Sequence, residues 1–104
     1  MIVGLYTTVS TEGEARAIAR KALEQRLCAC VQIEPIQSLY RWKGEICDTP
    51  EVRLLFKTTL ARQAALQSLV AALHPYEEPA IWSVRLDAVA PSYAAWIAAE
   101  TGGA

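Results

Sequence analysis

The stretch that decides the fold is 28-CACVQIEPIQSLYRWKGEICDTPEVRLLFKTT-59, in the middle of the chain. Cys28 to Ile33 has the composition of a strand, Glu34-Pro35 interrupts it, and Ile36 to Trp42 resumes it, which predicts one long, bent strand. Lys43-Gly44-Glu45 then supplies a turn, and the alternation from Val52 to Lys57 predicts a further strand. The two strands are expected to form a hairpin. Proline cannot donate to a β-ladder, so Pro35 is expected at a bulge or on a sheet edge.

A strand and a helix are predicted before this hairpin. Ile2 to Val9 is a β-branched and aromatic run that ends at turn-forming residues, which is typical of a strand. Thr11 and Glu14 have the spacing of a capping box, and apolar residues then recur at helical spacing from Ile18 to Leu27. The first strand is therefore followed by an amphipathic helix.

The segments after the hairpin repeat this arrangement in part. Leu66 to Leu73 has helical spacing and Pro75 prevents its continuation, while Ile81 to Leu86 alternates as a strand. Pro91 suits the first turn of a short last helix that carries Trp96 and Ile97. The order βαββαβ plus a helix predicts an α+β, ferredoxin-like fold, with an antiparallel sheet and two helices on one face. The 104 residues are expected to form a single domain, 1–104.

The composition indicates a folded protein with a hidden surface. The chain is 53% apolar and 20% charged, which is enough apolar surface to offset chain entropy. A domain of this size has a high surface-to-volume ratio, so an apolar, charge-poor chain is expected to cover part of its surface with a partner. Self-association is the simplest such partner.

The charge and cysteine content argue against several function classes. Ten basic and eleven acidic residues give a net charge of -1 without a basic run, which disfavours nucleic-acid binding. The sequence contains no apolar stretch long enough to span a bilayer, and Met1 leads directly into a strand-like run, so we expect neither membrane insertion nor export. Cys28, Cys30 and Cys47 form an odd set without the spacing of a disulfide framework, which favours a reducing cytoplasm.

His74 is the leading candidate for a metal ligand. It lies in the segment His74-Pro75-Tyr76-Glu77-Glu78-Pro79, where the second helix must end. A neutral imidazole beside carboxylates can bind a transition metal, although a single histidine needs further ligands. Two interpretations stay open: a metal site, or a histidine favoured at a helix C-terminus by the dipole, followed by a rigid turn.

The cysteines and the hairpin aromatics are weaker candidates. Cys28 and Cys30, two apart in the predicted strand, are expected on one face, where they either bind a soft metal or pack in the core. Cys47 is expected as an exposed thiol. Tyr40 and Trp42 flank the turn and suit a ligand pocket or a subunit interface. No phosphate-binding loop or catalytic triad is evident, so the sequence predicts a protein that is not an enzyme.

Five segments together resemble the CutA family of divalent-cation tolerance proteins. They are Arg26-Leu27-Cys28-Ala29-Cys30-Val31, Tyr40-Arg41-Trp42-Lys43-Gly44-Glu45, Lys57-Thr58-Thr59, Leu73-His74-Pro75-Tyr76-Glu77 and Tyr93-Ala94-Ala95-Trp96-Ile97. The resemblance implies a homotrimer in which strands of neighbouring subunits extend each other's sheets. It also implies copper(II) or another divalent cation as ligand, with His74 and Glu77 at the site and no cofactor needed for folding.

The sequence departs from the family's pattern at the implied metal site. Tyr6 stands where bacterial members have a cysteine ligand, Leu73 where they have a second histidine, and Ala80 where a glutamate is usual. Cys30 matches a family cysteine, whereas Cys28 stands at a usual alanine. A tight copper site built from His74 alone is therefore not expected.

The residues and the resemblance together support two functions. The first is a trimeric protein of the response to metal ions that binds divalent cations weakly. The alternative is a signalling or scaffold protein of the PII type, which binds a small molecule or protein in clefts between subunits. The cleft is expected to be lined by Cys30, Tyr40, Trp42, Lys57 and Tyr76, with His74 nearby.

Overall fold

The computed structural model describes residues 1–102 of the chain. Its elements are β1 (Ile2–Val9), α1 (Glu12–Glu24), β2 (Cys30–Trp42), β3 (Glu45–Thr59), α2 (Leu60–Leu73), β4 (Ile81–Leu86) and α3 (Pro91–Glu100). The predicted element order is confirmed. The third strand is longer than the segment from Val52 to Lys57 whose alternation predicted it.

The strands form one antiparallel sheet in the order β2-β3-β1-β4. Alternate side chains of β1 and β3 point to the same side of the sheet as the apolar stripes of α1 and α2. The core on that side contains Leu5, Val9, Ala15, Ile18, Ala19, Ala22, Leu27, Cys28, Leu54, Phe56, Leu66 and Val70. This confirms the ferredoxin-like α+β fold with two helices on one face.

Both ends of α1 are fixed by local hydrogen bonds. The hydroxyl of Thr11 accepts from the Glu14 N–H, and the Glu14 carboxylate accepts from the Thr11 N–H, both at 3.1 Å, which confirms the capping box. At the other end Arg26 adopts a φ of 56°, and the Leu27 N–H donates to the Ala22 carbonyl at 3.0 Å. This is the bond of a Schellman motif, which turns the chain sharply out of the helix.

This turn explains why one strand prediction was wrong. β2 begins at Cys30 and not at Cys28. Between the turn and β2, the connection is held to β3 by the Thr58 hydroxyl, which donates to the Leu27 carbonyl at 2.7 Å, and by the Ala29 N–H, which donates to the Lys57 carbonyl at 2.9 Å. Cys28 is 2% exposed and lies in the core beside the helices. Cys30 pairs with Lys57 on the opposite face. The two thiols therefore do not share a face, and core packing is confirmed for Cys28.

The hairpin of β2 and β3 extends beyond the sheet as an arm. β1 pairs with β3 only up to Val52, so Glu45–Glu51 pairs with Ile36–Trp42 alone; we call these two segments the arm. Lys43 and Gly44 have φ of 50° and 82° and form its two-residue turn, in which both positive φ values match the strand twist. The arm gives the molecule a long axis of 47 Å.

Pro35 lies on the edge strand β2, which confirms the edge alternative. The register between β2 and β3 runs without interruption from Cys30–Lys57 to Trp42–Glu45, so Pro35 does not create a bulge.

The face of the sheet opposite α1 and α2 remains largely accessible in a single chain. Tyr6, Leu55, Trp82 and Val84 form its apolar part, which we call the open face. Tyr6 and Trp82 stack with ring centroids 5.1 Å apart, and Trp82 and Val84 are 44% and 40% exposed. Single exposed apolar residues are ordinary, but a contiguous set on a sheet indicates a surface that is normally covered.

Candidate functional site

A groove of about 1010 Å³ lies between the arm and the loop that joins α2 to β4. Of the five residues predicted to line a cleft, Tyr40, Trp42 and Tyr76 line this groove. The carboxylates of Glu51, Glu77 and Glu78 also line the groove. Arg53 lines it too, and its guanidinium forms an ion pair with Glu34 at 2.8 Å. The groove thus combines aromatic walls with carboxylates.

The other two predicted cleft residues lie elsewhere, near α3. The Cys30 thiol is 3.5 Å from the Tyr93 hydroxyl, and the Lys57 ammonium is 6.0 Å from the centre of the Tyr93 ring. Lys57 also donates to the Gln32 side chain at 3.0 Å. The hydrogen bond with Cys30, followed by burial, raises the pKa of Tyr93 to about 12. Within one chain, the predicted cleft set is therefore divided between two places.

His74 follows directly after α2, with both ring nitrogens in hydrogen bonds. Nδ1 accepts from the Tyr76 N–H at 3.1 Å. Nε2 lies 2.9 Å from the Thr8 carbonyl oxygen and 3.0 Å from Oγ1 of Thr7. A ring nitrogen that accepts an N–H carries no proton, so these partners assign a neutral imidazole whose Nε2–H donates to Thr8.

Tyr76 extends this network to the arm. Its hydroxyl donates to Oε2 of Glu51 at 2.6 Å and accepts from the Ser10 hydroxyl at 3.0 Å. Its ring stands edge-on to the His74 ring, with centroids 4.8 Å apart. Burial, together with the bond to Glu51, raises the pKa of Tyr76 to about 12. The phenol is therefore a neutral donor at physiological pH.

The residues of this corner do not fit a tight transition-metal site. His74 has no free lone pair in the arrangement described, because Nδ1 accepts one hydrogen bond and Nε2 carries the proton. Glu77 points toward Lys43, with Oε2 3.9 Å from Nζ. Within residues 1–102, no three or more histidine, cysteine, aspartate or glutamate side chains are grouped closely enough to hold a metal ion.

Sequence reasoning missed several partners in this site. Thr7, Thr8 and Ser10 stand at the end of β1, and Glu51 lies in β3, all far from His74 and Tyr76 along the chain. These residues form no motif, and Thr8 contributes its backbone carbonyl, which any residue carries. Only the strand order brings them to one corner, so no local signal was available.

The fold and this corner define a small α+β protein with a ferredoxin-like sheet, a projecting hairpin arm and a groove beside its root. Residues 3–100 match the family model described as CutA1 divalent ion tolerance protein. The chain therefore belongs to the CutA1 family, and the resemblance seen in the sequence is confirmed.

Relatives with known names and structures agree with this assignment. The divalent-cation tolerance protein CutA of Thermotoga maritima is 41% identical over 89% of this chain and 92% of its own length. That of Thermus thermophilus is 42% identical over 91% and 93%. The structure of the periplasmic divalent cation tolerance protein CutA from Archaeoglobus fulgidus has a TM-score of 0.94 at 32% identity, over 97% of this chain and 99% of that one. These comparisons favour the metal-response interpretation over the signalling alternative.

None of the helices among the described residues is both long and apolar enough to cross a membrane.

Proposed function

We propose that this protein acts in the response to divalent metal ions as a homotrimer, that it binds these ions weakly, and that it catalyses no reaction. The observation that carries the proposal is the family match across residues 3–100, together with relatives that are named for divalent-cation tolerance over nearly their full length. The cytoplasm is the proposed compartment, because the three cysteines are unpaired thiols.

The surfaces of the single chain support self-association. β2 and β4 are edge strands whose outer hydrogen-bonding groups face no other strand within residues 1–102. In addition, Leu39 and Ile46 on the arm are each 69% exposed, and the open face is apolar. A long unpaired edge beside exposed apolar side chains is stabilised when another strand adds to it. Three copies arranged head to tail can pair every such edge in a closed ring.

The site chemistry supports weak rather than tight cation binding. Glu77 lines the groove with a side chain that is 75% exposed, and it is paired with Lys43 only at 3.9 Å. Carboxylate oxygens of this kind bind hard divalent cations through water-rich, exchangeable contacts, whereas copper(II) prefers several nitrogen and oxygen donors in a tetragonal set. We therefore propose Glu77, rather than His74, as the residue of the predicted pair that meets the ion.

Native mass spectrometry during a titration with copper(II) or zinc(II) tests assembly and metal uptake together. The expected result is an assembly of about three times the 11.4 kDa chain mass, with metal adducts that appear only at high metal concentration. Glu77→Gln should reduce these adducts. Glu24→Gln removes the same charge from an exposed position on α1 and serves as the matched control.

Two results would contradict the proposal. A monomer at micromolar concentration would remove the argument from the strand edges and the open face. Stoichiometric copper binding that survives Glu77→Gln and competition by a weak chelator would require a tight site that this arrangement does not provide.

A further inference from the structure

The arm leaves the sheet at one residue pair. Val9–Val52 is the last pair between β1 and β3, so Glu51 is the first β3 residue without a β1 neighbour, and it pairs with Ile36 of β2. Beyond this root, the arm is a two-stranded ribbon. Such ribbons have marginal stability by themselves and twist freely unless another element holds them.

The loop after α2 contacts the arm at this root. The Tyr76 hydroxyl donates to the Glu51 carboxylate at 2.6 Å, a short bond to a charged acceptor, which is among the stronger hydrogen bonds in proteins. The same hydroxyl accepts from Ser10, the residue that follows β1. Tyr76 thus joins the end of β1 to the root of the arm across the point where their direct pairing stops.

His74 holds Tyr76 in this position. Nδ1 of His74 accepts the Tyr76 N–H, and Nε2 is anchored on the Thr8 carbonyl, so the imidazole bridges the loop backbone to the end of β1. Pro75 lies between the two residues and restricts the chain there. The imidazole therefore sets where the Tyr76 ring stands.

We propose that His74 and Tyr76 form a latch that fixes the direction of the arm relative to the sheet, and that His74 is thereby a positioning residue instead of a metal ligand. The family resemblance implies further metal-site residues at three positions, which in this chain hold Tyr6, Leu73 and Ala80. The latch gives His74 a role that does not depend on those missing residues. The latch itself depends only on contacts within one chain. Its use, to present the arm to a neighbouring copy, rests on the proposed trimer.

The first test measures the tautomer of His74 in metal-free protein by nitrogen-15 NMR of the imidazole. We expect the Nε2–H form, because Nδ1 is an acceptor. Addition of zinc(II) at concentrations that produce adducts in mass spectrometry should leave both ring nitrogen signals in place. An Nδ1–H form, or a zinc-dependent shift of either nitrogen, would overturn the assignment of His74 as a latch residue.

The second test measures hydrogen exchange of the backbone amides at the arm root, around Ile36 and Glu51. Tyr76→Phe removes the bond to Glu51 and should speed exchange there roughly tenfold, the expected effect of losing one hydrogen bond to a charged group. Tyr40→Phe is the matched control, because among the described residues its hydroxyl takes part in one hydrogen bond, accepting from Thr49 within the arm at 3.4 Å. Equal effects of the two substitutions would refute the latch.

Variants of His74 separate its two bonds. His74→Gln retains a side-chain N–H near the Nε2 position, whereas His74→Ala removes both bonds, so root exchange should be fastest in alanine and intermediate in glutamine. If His74→Ala does not fold, the comparison of Tyr76→Phe with Tyr40→Phe still decides the question. Failure of the proposed function is seen separately, as a monomer or as absent metal adducts in native mass spectrometry.

Discussion

The buried hydroxyl of Thr58 joins the connection after α1 to the sheet, and removing it should destabilise the fold measurably. Thr58 is fully buried, and its Oγ1 donates to the Leu27 carbonyl at 2.7 Å. Thr58→Val preserves the shape but leaves that carbonyl without this donor, which costs roughly 1–3 kcal/mol. The added methyl group returns up to about 0.8 kcal/mol. We therefore expect the free energy of unfolding to fall by about 1.5 kcal/mol per chain.

Urea unfolding followed by tryptophan fluorescence provides the assay, at one protein concentration because the proposed trimer would make stability depend on concentration. With a slope of roughly 2 kcal/mol per molar urea, the expected loss lowers the midpoint by about 0.7 M. Thr59→Val is the control, since Thr59 stands next in sequence and makes no side-chain capping bond to α2. An unchanged midpoint for Thr58→Val, or an equal shift for both variants, would refute the reasoning.

Three further predictions concern backbone strain, thiol reactivity and pH. Arg26→Gly should raise the free energy of unfolding by about 0.5–1 kcal/mol in the same assay, because Arg26 has a φ of 56° that glycine adopts without strain; a lowered midpoint would contradict this. In the folded protein at pH 8, Cys28 should react with a thiol reagent far more slowly than Cys47, because burial raises the pKa of the Cys28 thiol to about 12. Peptide mass spectrometry measures the labelling of each cysteine, and faster labelling of Cys28 would contradict the prediction. The melting temperature should fall as pH rises from about 9 toward 12. The pKa values of Cys28, Tyr76 and Tyr93 are raised in the folded protein to about 12, from ordinary values of 9.0, 10.0 and 10.0, so the unfolded chain loses these protons first. A melting temperature that does not change over this pH range would exclude the linkage.

Local signals were enough to predict most of the elements. The capping box of Thr11 and Glu14, the turn at Lys43-Gly44 and the helix stop before Pro75 each act within a few residues, so a sequence pattern reveals them. The start of β2 was missed for a physical reason. The connection before it is held to β3 by the bond from Thr58 to Leu27, which joins residues 31 positions apart.

The candidate site could be predicted only in part. Tyr40 and Trp42 were expected near a groove because they flank a recognisable turn, and they line it. By contrast, the hydrogen bonds of His74 reach Thr7 and Thr8, which are 67 and 66 positions away, and only the assembled sheet brings them together. A family resemblance supplies an expected ligand at His74, but it does not reveal what the ring nitrogens contact in this chain.

Pro35 protects the edge strand β2 against uncontrolled addition of further strands. The outward amide donors of this 13-residue edge strand, which come from alternate residues, form a template on which further chains can add in several registers, the first step toward fibrous aggregates. Proline has no amide hydrogen, and Pro35 stands near the middle of this strand beside the charged Glu34. Its position therefore reduces the number of registers open to an incoming strand. Replacing Pro35 would remove this restriction and leave the chains more prone to polymerise.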